Sequence, residues 1–100
     1  MYVVVFRAII NQQDEAYQTM AQRMRDLAFA EFSCVDLSVV TENGEEIAVS
    51  YWNSLDDIKA WKQHSEHLVA QELGREQWLK SYRVDIAEVV RSYSNLKSNS

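Results

Sequence analysis

Two histidines, His64 and His67, lie three residues apart in the stretch YWNSLDDIKAWKQHSEH, which also contains Trp52 and Trp61. An imidazole titrates near neutrality and can take or hold a proton at a reacting centre, so this pair is the first place to look for chemistry. On a helix the spacing puts both rings near one face. A metal is a different matter. A closed zinc site needs about four ligands and a catalytic one about three, and the chain has only these two histidines. Further donors such as Asp56, or a partner chain, would be needed, and no metal is expected.

Other reactive signals are weak. Cys34, the single cysteine, is flanked by Phe32, Val35 and Leu37. It forms no Cys-x-x-Cys pair and no internal disulfide, and it reads as a buried strand thiol rather than a nucleophile. There is no Gly-x-Ser-x-Gly elbow and no Gly-rich phosphate loop, since glycine stands only at positions 44 and 74. What remains is aromatic: Trp52, Trp61, Trp78 and Tyr82 crowd around one predicted helix. These rings either anchor the core, with the histidines as surface or capping groups, or they line a pocket.

The elements that must position them follow from periodicity. YVVVFRAII (2–10) is β-branched and aromatic over a strand's length. Asn11 offers a cap for a helix with Asp14 and Glu15 in its first turn. Its apolar stripe is Tyr17, Met20, Ala21, Met24, Leu27 and Ala28. FSCVDLSVVT predicts a second strand with Val35, Leu37 and Val39 on one side. Asn43-Gly44 suits a two-residue type I′ hairpin into EIAVSYW. Ser54, followed by Asp56 and Asp57, marks a second helix start, running to Gly74 with a shorter turn or helix through REQWLKSY. RVDIAEVVRSY (83–93) alternates as a last strand, and residues 94–100 read as a polar tail.

The order βαββαβ is the ferredoxin-like α+β plan: one domain over residues 1–93, a four-stranded antiparallel sheet with two helices on one face. The first and last strands are apolar on both sides, whereas helices cover only one. The other face calls for a second copy, and a homodimer with facing sheets is expected.

Composition bounds the partners. Hydrophobic residues make up 47% and charged residues 25%, the balance of a folded globular chain. A net charge of -5 with scattered basic residues argues against nucleic acid. No apolar run approaches a membrane span, and the start lacks the basic region and cleavage site of a signal peptide, so the expectation is a cytoplasmic protein without a membrane partner.

The segment Tyr51–Tyr93 resembles the second half of the antibiotic biosynthesis monooxygenase domain family. The matching features are a strand ending in Trp52, a Ser-Leu-Asp-Asp helix start, Trp-x-x-His-x-x-His, Ala-Gln, Gly-Arg, Trp78 and a last strand closing on Arg-x-Tyr. The first half matches only in element order and apolar pattern. The resemblance implies a dimeric α/β barrel and oxidation of a small electron-rich aromatic, hydroquinone or anthrone-like, by O2 without cofactor. It implies that Trp52 and Trp61 wall a pocket with Trp78 and Tyr82 at its rim. His64 is then the first candidate base and His67 the second, and Arg83 or Arg7 stabilises an anion. Haem-degrading relatives carry an Asn on the first strand and a haem-ligating His after the helical Trp. Here those places hold Phe6 and Gln71, and haem breakdown is not expected. The alternative is a non-catalytic dimeric small-ligand or stress-associated module of the same fold.

Overall fold

The computed structural model describes residues 1–11, 15–72 and 79–95, with residues 67–72 as helical backbone only. The elements are β1 (Tyr2–Ile10), α1 (Glu15–Glu31), β2 (Cys34–Glu42), β3 (Glu45–Trp52), α2 (Leu55–Glu72) and β4 (Leu79–Glu88). They build an antiparallel sheet in the order β2-β3-β1-β4, the ferredoxin-like arrangement. No described helix is long and apolar enough to cross a membrane.

Local chemistry explains the joints. Asn43 and Gly44 take φ of 52° and 79°, and Glu42 pairs with Glu45 across them. Both turn residues have the positive φ that a type I′ hairpin requires. The Gly44 carbonyl accepts the Ile10 N–H at 2.7 Å, tying the hairpin to the end of β1. At the start of α2 the Ser54 hydroxyl accepts the Asp57 N–H at 3.2 Å, which satisfies one of the orphan donors of the first turn. Asp56 and Asp57 add negative charge at the positive end of the helix. The expected cap at Asn11 and terminator at Gly74 border or fall on residues outside the described ones.

Period-two alternation sorts β1 cleanly. Val4, Ala8 and Ile10 are buried beneath the helices, with Phe6 on the same face by parity. Register then fixes the neighbours: Phe6 pairs with Ala48 of β3 and Val84 of β4, and Val4 with Ser50 and Ile86. The core divides into two clusters. Val4, Ala28, Cys34, Trp52 and Ile58 form one. Ile10, Tyr17 and Met20 form the other. The stripe predicted on α1 therefore faces inward.

Three expectations need correction. Val35 was expected to share a face with Leu37, but a bulge between Cys34 and Asp36 inserts one residue into β2. Val35 turns outward, and Cys34 joins the core instead. The last strand runs over Leu79–Glu88 rather than 83–93, so Leu79 to Tyr82 are strand, not turn or helix. Glu88 pairs with Tyr2, and one more backbone bond, from the Val89 N–H to the Met1 carbonyl at 3.0 Å, closes the ladder. Val90 and Tyr93 are consequently exposed. Finally, the face of β4 turned away from the helices is not apolar throughout, because Arg83 and Asp85 lie there in a 2.9 Å ion pair. The apolar outer surface belongs to Val3 and Val5 of β1, Ile47, Val49 and Tyr51 of β3, and Val40 of β2, which pair across the strands.

Candidate functional site

Between the two core clusters the helices stand off the sheet and leave a cavity of about 200 Å³. Its floor is the helix-facing side of the strands: Val4, Phe6, Ala48, Ser50 and Val84. Met20 and Met24 of α1 and Trp61 of α2 form its roof, and Tyr82 of β4 closes one side. Phe6 and Tyr82 stack with ring centroids 6.2 Å apart. Arg25, Lys62 and Glu66 also reach the cavity, with Lys62 and Glu66 in a half-exposed helical ion pair at 3.8 Å.

Trp61 is a structural strut as well as a wall. Its indole N–H donates to the Met24 carbonyl at 2.9 Å, fastening α2 to α1 across the cavity's roof. Trp52 does not line the space, contrary to the role the resemblance implied. It is fully buried behind Trp61, ring centroids 5.3 Å apart. Its N–H donates to the Ser50 hydroxyl at 2.8 Å. The wall is thus built on a rigid pair of indoles, only one of which touches the cavity.

The two arginines named from sequence face the other way. Arg7 pairs with Arg83 on the side of the sheet away from the helices, because odd-numbered positions of β1 and their β4 partners point outward. They border a shallow groove there with Ser81 and Glu45. His64 is exposed on the flank of α2, its ring 6.3 Å from that of Phe32, and it is absent from the cavity wall. The side chain of His67, and Trp78 altogether, lie outside the described residues. Of the residues singled out from sequence, the structure brings Trp61 and Tyr82 to one cavity.

The polar groups that face this apolar space were not foreseen. Glu46 projects from β3 to the cavity wall, and the Tyr17 hydroxyl donates to its two carboxylate oxygens at 3.1 and 3.2 Å. Burial first, then the adjacent carboxylate, pushes the Tyr17 phenol well above its ordinary range, with Arg25 opposing. Tyr17 therefore stays protonated and remains a donor. Ser50 is 7% exposed on the same face of β3. Glu46, Ala48, Ser50 and Trp52 alternate along β3, and that parity was the signal available in the sequence for both polar groups.

No protein-family model matches the chain. The uncharacterized protein YqjZ of Bacillus subtilis is 40% identical over 91 residues, covering 90% of this chain and 80% of YqjZ. Among solved structures, SnoaB of Streptomyces nogalater, a cofactor-independent oxygenase, superposes with a TM-score of 0.71 at 11% identity, over 91% of this chain and 94% of its own. Rv0793 of Mycobacterium tuberculosis gives 0.70 at 15% identity, over 94% of this chain and all 100% of its own. A protein described as an antibiotic biosynthesis monooxygenase gives 0.67 at 15%, over 91% and 100%. Identities this low carry the fold and not the activity. The chain belongs to the same family as YqjZ, one built on the antibiotic biosynthesis monooxygenase fold.

Proposed function

We propose that the protein is a cofactor-independent monooxygenase, acting as a homodimer, that oxidises a small electron-rich hydroxyarene with O2. The observation that carries this reading is the ring- and methionine-walled cavity between sheet and helices, which can hold a flat aromatic away from water. Its size selects among substrates. A cavity of about 150 Å³ accommodates benzene, so one of about 200 Å³ suits one or two fused rings. Hydroquinones of that size fit better than three-ring anthrones.

In the reaction the substrate is its own reductant. A base on the wall takes a phenolic proton, and the phenolate passes an electron to O2. The resulting radical and superoxide combine at a ring carbon to give a peroxide. Cleavage of the O–O bond leaves one oxygen on the ring as a carbonyl and releases the other as water with two hydrogens from the substrate. A hydroquinone and O2 thus give a hydroxyquinone and water. His64 stands beside Phe32 and does not line the cavity, so the base is to be sought on the wall itself. His67 remains the second candidate. The homodimer rests on the uncovered apolar surface of Val3, Val5, Ile47, Val49 and Tyr51.

A second reading, a non-catalytic ligand-binding module, is favoured by the lack of an imidazole on the wall among the described residues. Oxygen uptake separates the two. With chelator present, the oxygenase consumes O2 in proportion to an added benzo- or naphthohydroquinone, above the uncatalysed rate. Saturable binding without uptake would favour the module.

A further inference from the structure

Strand β3 places two polar side chains on the cavity floor with only Ala48 between them, and their hydrogen-bonding states are complementary. Ser50 accepts the Trp52 indole N–H at 2.8 Å, which orients its oxygen, and no described residue accepts its hydrogen. The hydroxyl of Ser50, a residue only 7% exposed that lines the cavity, thus has a donor to offer an occupant. A buried donor without an acceptor is costly, so an occupant with a suitable oxygen gains by filling it. Glu46 is the opposite case. Its two carboxylate oxygens share the single Tyr17 hydroxyl hydrogen, and a carboxylate has about four lone-pair sites. The remaining pairs are acceptors only.

From this we infer that Glu46 and Ser50 are a substrate-reading pair, Glu46 the base that takes the proton from one hydroxyl of a para-dioxygenated arene and Ser50 the donor that anchors the oxygen at its other end. The inference rests on the oxygenase reading for its rate consequences, but its binding consequences stand apart from it. Residues four apart on one strand face are separated by about 13 Å between Cα atoms. A glutamate side chain turned toward Ser50 brings the polar atoms closer than that. The separation matches oxygens at opposite ends of a flat ring system rather than neighbouring ones. Ala48 supplies the bare floor on which that ring lies, with Phe6 beside it across the β1 pairing.

The proton step balances simply. The substrate O–H bond breaks as the Glu46 O–H bond forms, and the phenolate's electron goes to O2. Glu46 returns the proton when the peroxide splits and water leaves. Tyr17 is a positioning residue: its hydrogen bonds fix the carboxylate against α1.

The test uses naphthohydroquinone with para oxygens, its para-dimethyl ether and the ortho-diol isomer. Binding is read anaerobically by tryptophan fluorescence, and turnover by oxygen uptake. The wild type is expected to bind the para diol at least about tenfold more tightly than either comparison compound, since the ether gives Glu46 no donor and the ortho isomer cannot reach Ser50. Glu46→Gln, close in shape, is expected to keep anaerobic affinity within about threefold and lose about 10²-fold in kcat. Ser50→Ala is expected to raise Kd and KM about fivefold with kcat little changed. Equal affinity for diol, ether and ortho isomer in the wild type overturns the pair without reference to any variant. Full turnover by Glu46→Gln overturns the base while leaving the oxygenase intact. Discrimination by the wild type with no oxygen uptake on any diol supports the pair as a binding device and sinks the oxygenase reading instead.

Discussion

Replacing Ala48 by Phe is the sharpest perturbation of the cavity. Ala48 is half-buried at the centre of the floor, on an internal strand where an aromatic residue suits the backbone. Its new ring would project into a space of about 200 Å³. Since about 150 Å³ is the room a benzene molecule uses, the phenyl group would take roughly three-quarters of the cavity. The energetic terms nearly cancel. Burying a phenyl contributes about 1.5–3 kcal/mol, and crowding Phe6 and Val39, its cross-strand neighbours, costs about 1–3 kcal/mol. Stability should change by no more than about 2 kcal/mol, or about 8–16 °C in Tm for a chain of this size. Binding should collapse. The expected result is a folded protein whose oxygen uptake falls at least about 10²-fold and whose hydroquinone-dependent fluorescence change disappears. If the variant folds and still turns over at the wild-type kcat/KM, the reaction takes place elsewhere and the cavity argument fails.

Other outcomes follow from single contacts. His64→Ala should leave kcat within about twofold, because the ring faces Phe32 and solvent; a loss near 10²-fold would return His64 to the mechanism. Trp61→Phe removes the bond to the Met24 carbonyl and should cost about 1–3 kcal/mol in chemical denaturation; an unchanged midpoint would show that α1 and α2 are not fastened there. Folded protein should lose stability as pH rises above about 10, where the unfolded chain ionises Tyr17 at its ordinary value while the folded one holds it protonated. The slope from this residue is about 1.4 kcal/mol per pH unit, and Tyr17→Phe should remove that component. Cys34 is buried, and burial raises its thiol pKa, so native protein should react with iodoacetamide on the order of 10²-fold more slowly than unfolded protein. Val49→Glu places a charge on the uncovered sheet face; light scattering should show dimer for the wild type and monomer for the variant, and a monomeric wild type would refute the dimer proposal.

Much of the architecture was legible because it rests on short-range chemistry. The β-branched run of β1, the spacing of Tyr17, Met20 and Met24, the Asn43-Gly44 turn and the Ser54 cap each have one favoured backbone solution, and together they dictate the βαββαβ order. The bulge at Val35 was hidden, since an inserted residue leaves the local pattern apolar and shows itself only through pairing with β3. The end of β4 was hidden for a related reason: alternation continues to Tyr93, whereas the ladder with β1 closes at the bond from the Val89 N–H to the Met1 carbonyl.

The site was harder to read than the fold. Rare residue types drew notice to His64, Trp52 and Arg83, yet one faces Phe32, one is sealed behind Trp61 and one points off the far side of the sheet. Glu46 looked like an ordinary surface carboxylate beside Glu45. Only its parity with Ser50 and Trp52 on β3, and the approach of Tyr17 from a helix 29 positions earlier in the chain, make it a cavity group.

In the proposed reaction a hydroxyarene held between sheet and helices itself reduces O2. The most direct measurement is a turnover of naphthohydroquinone under heavy-isotope O2, with chelator present, followed by mass spectrometry of the product and the water. One heavy oxygen atom in each hydroxyquinone and one in water, for the wild type but not for Ala48→Phe, is the predicted result. Product oxygen drawn from solvent, or equal labelling by the cavity-filled variant, would contradict it.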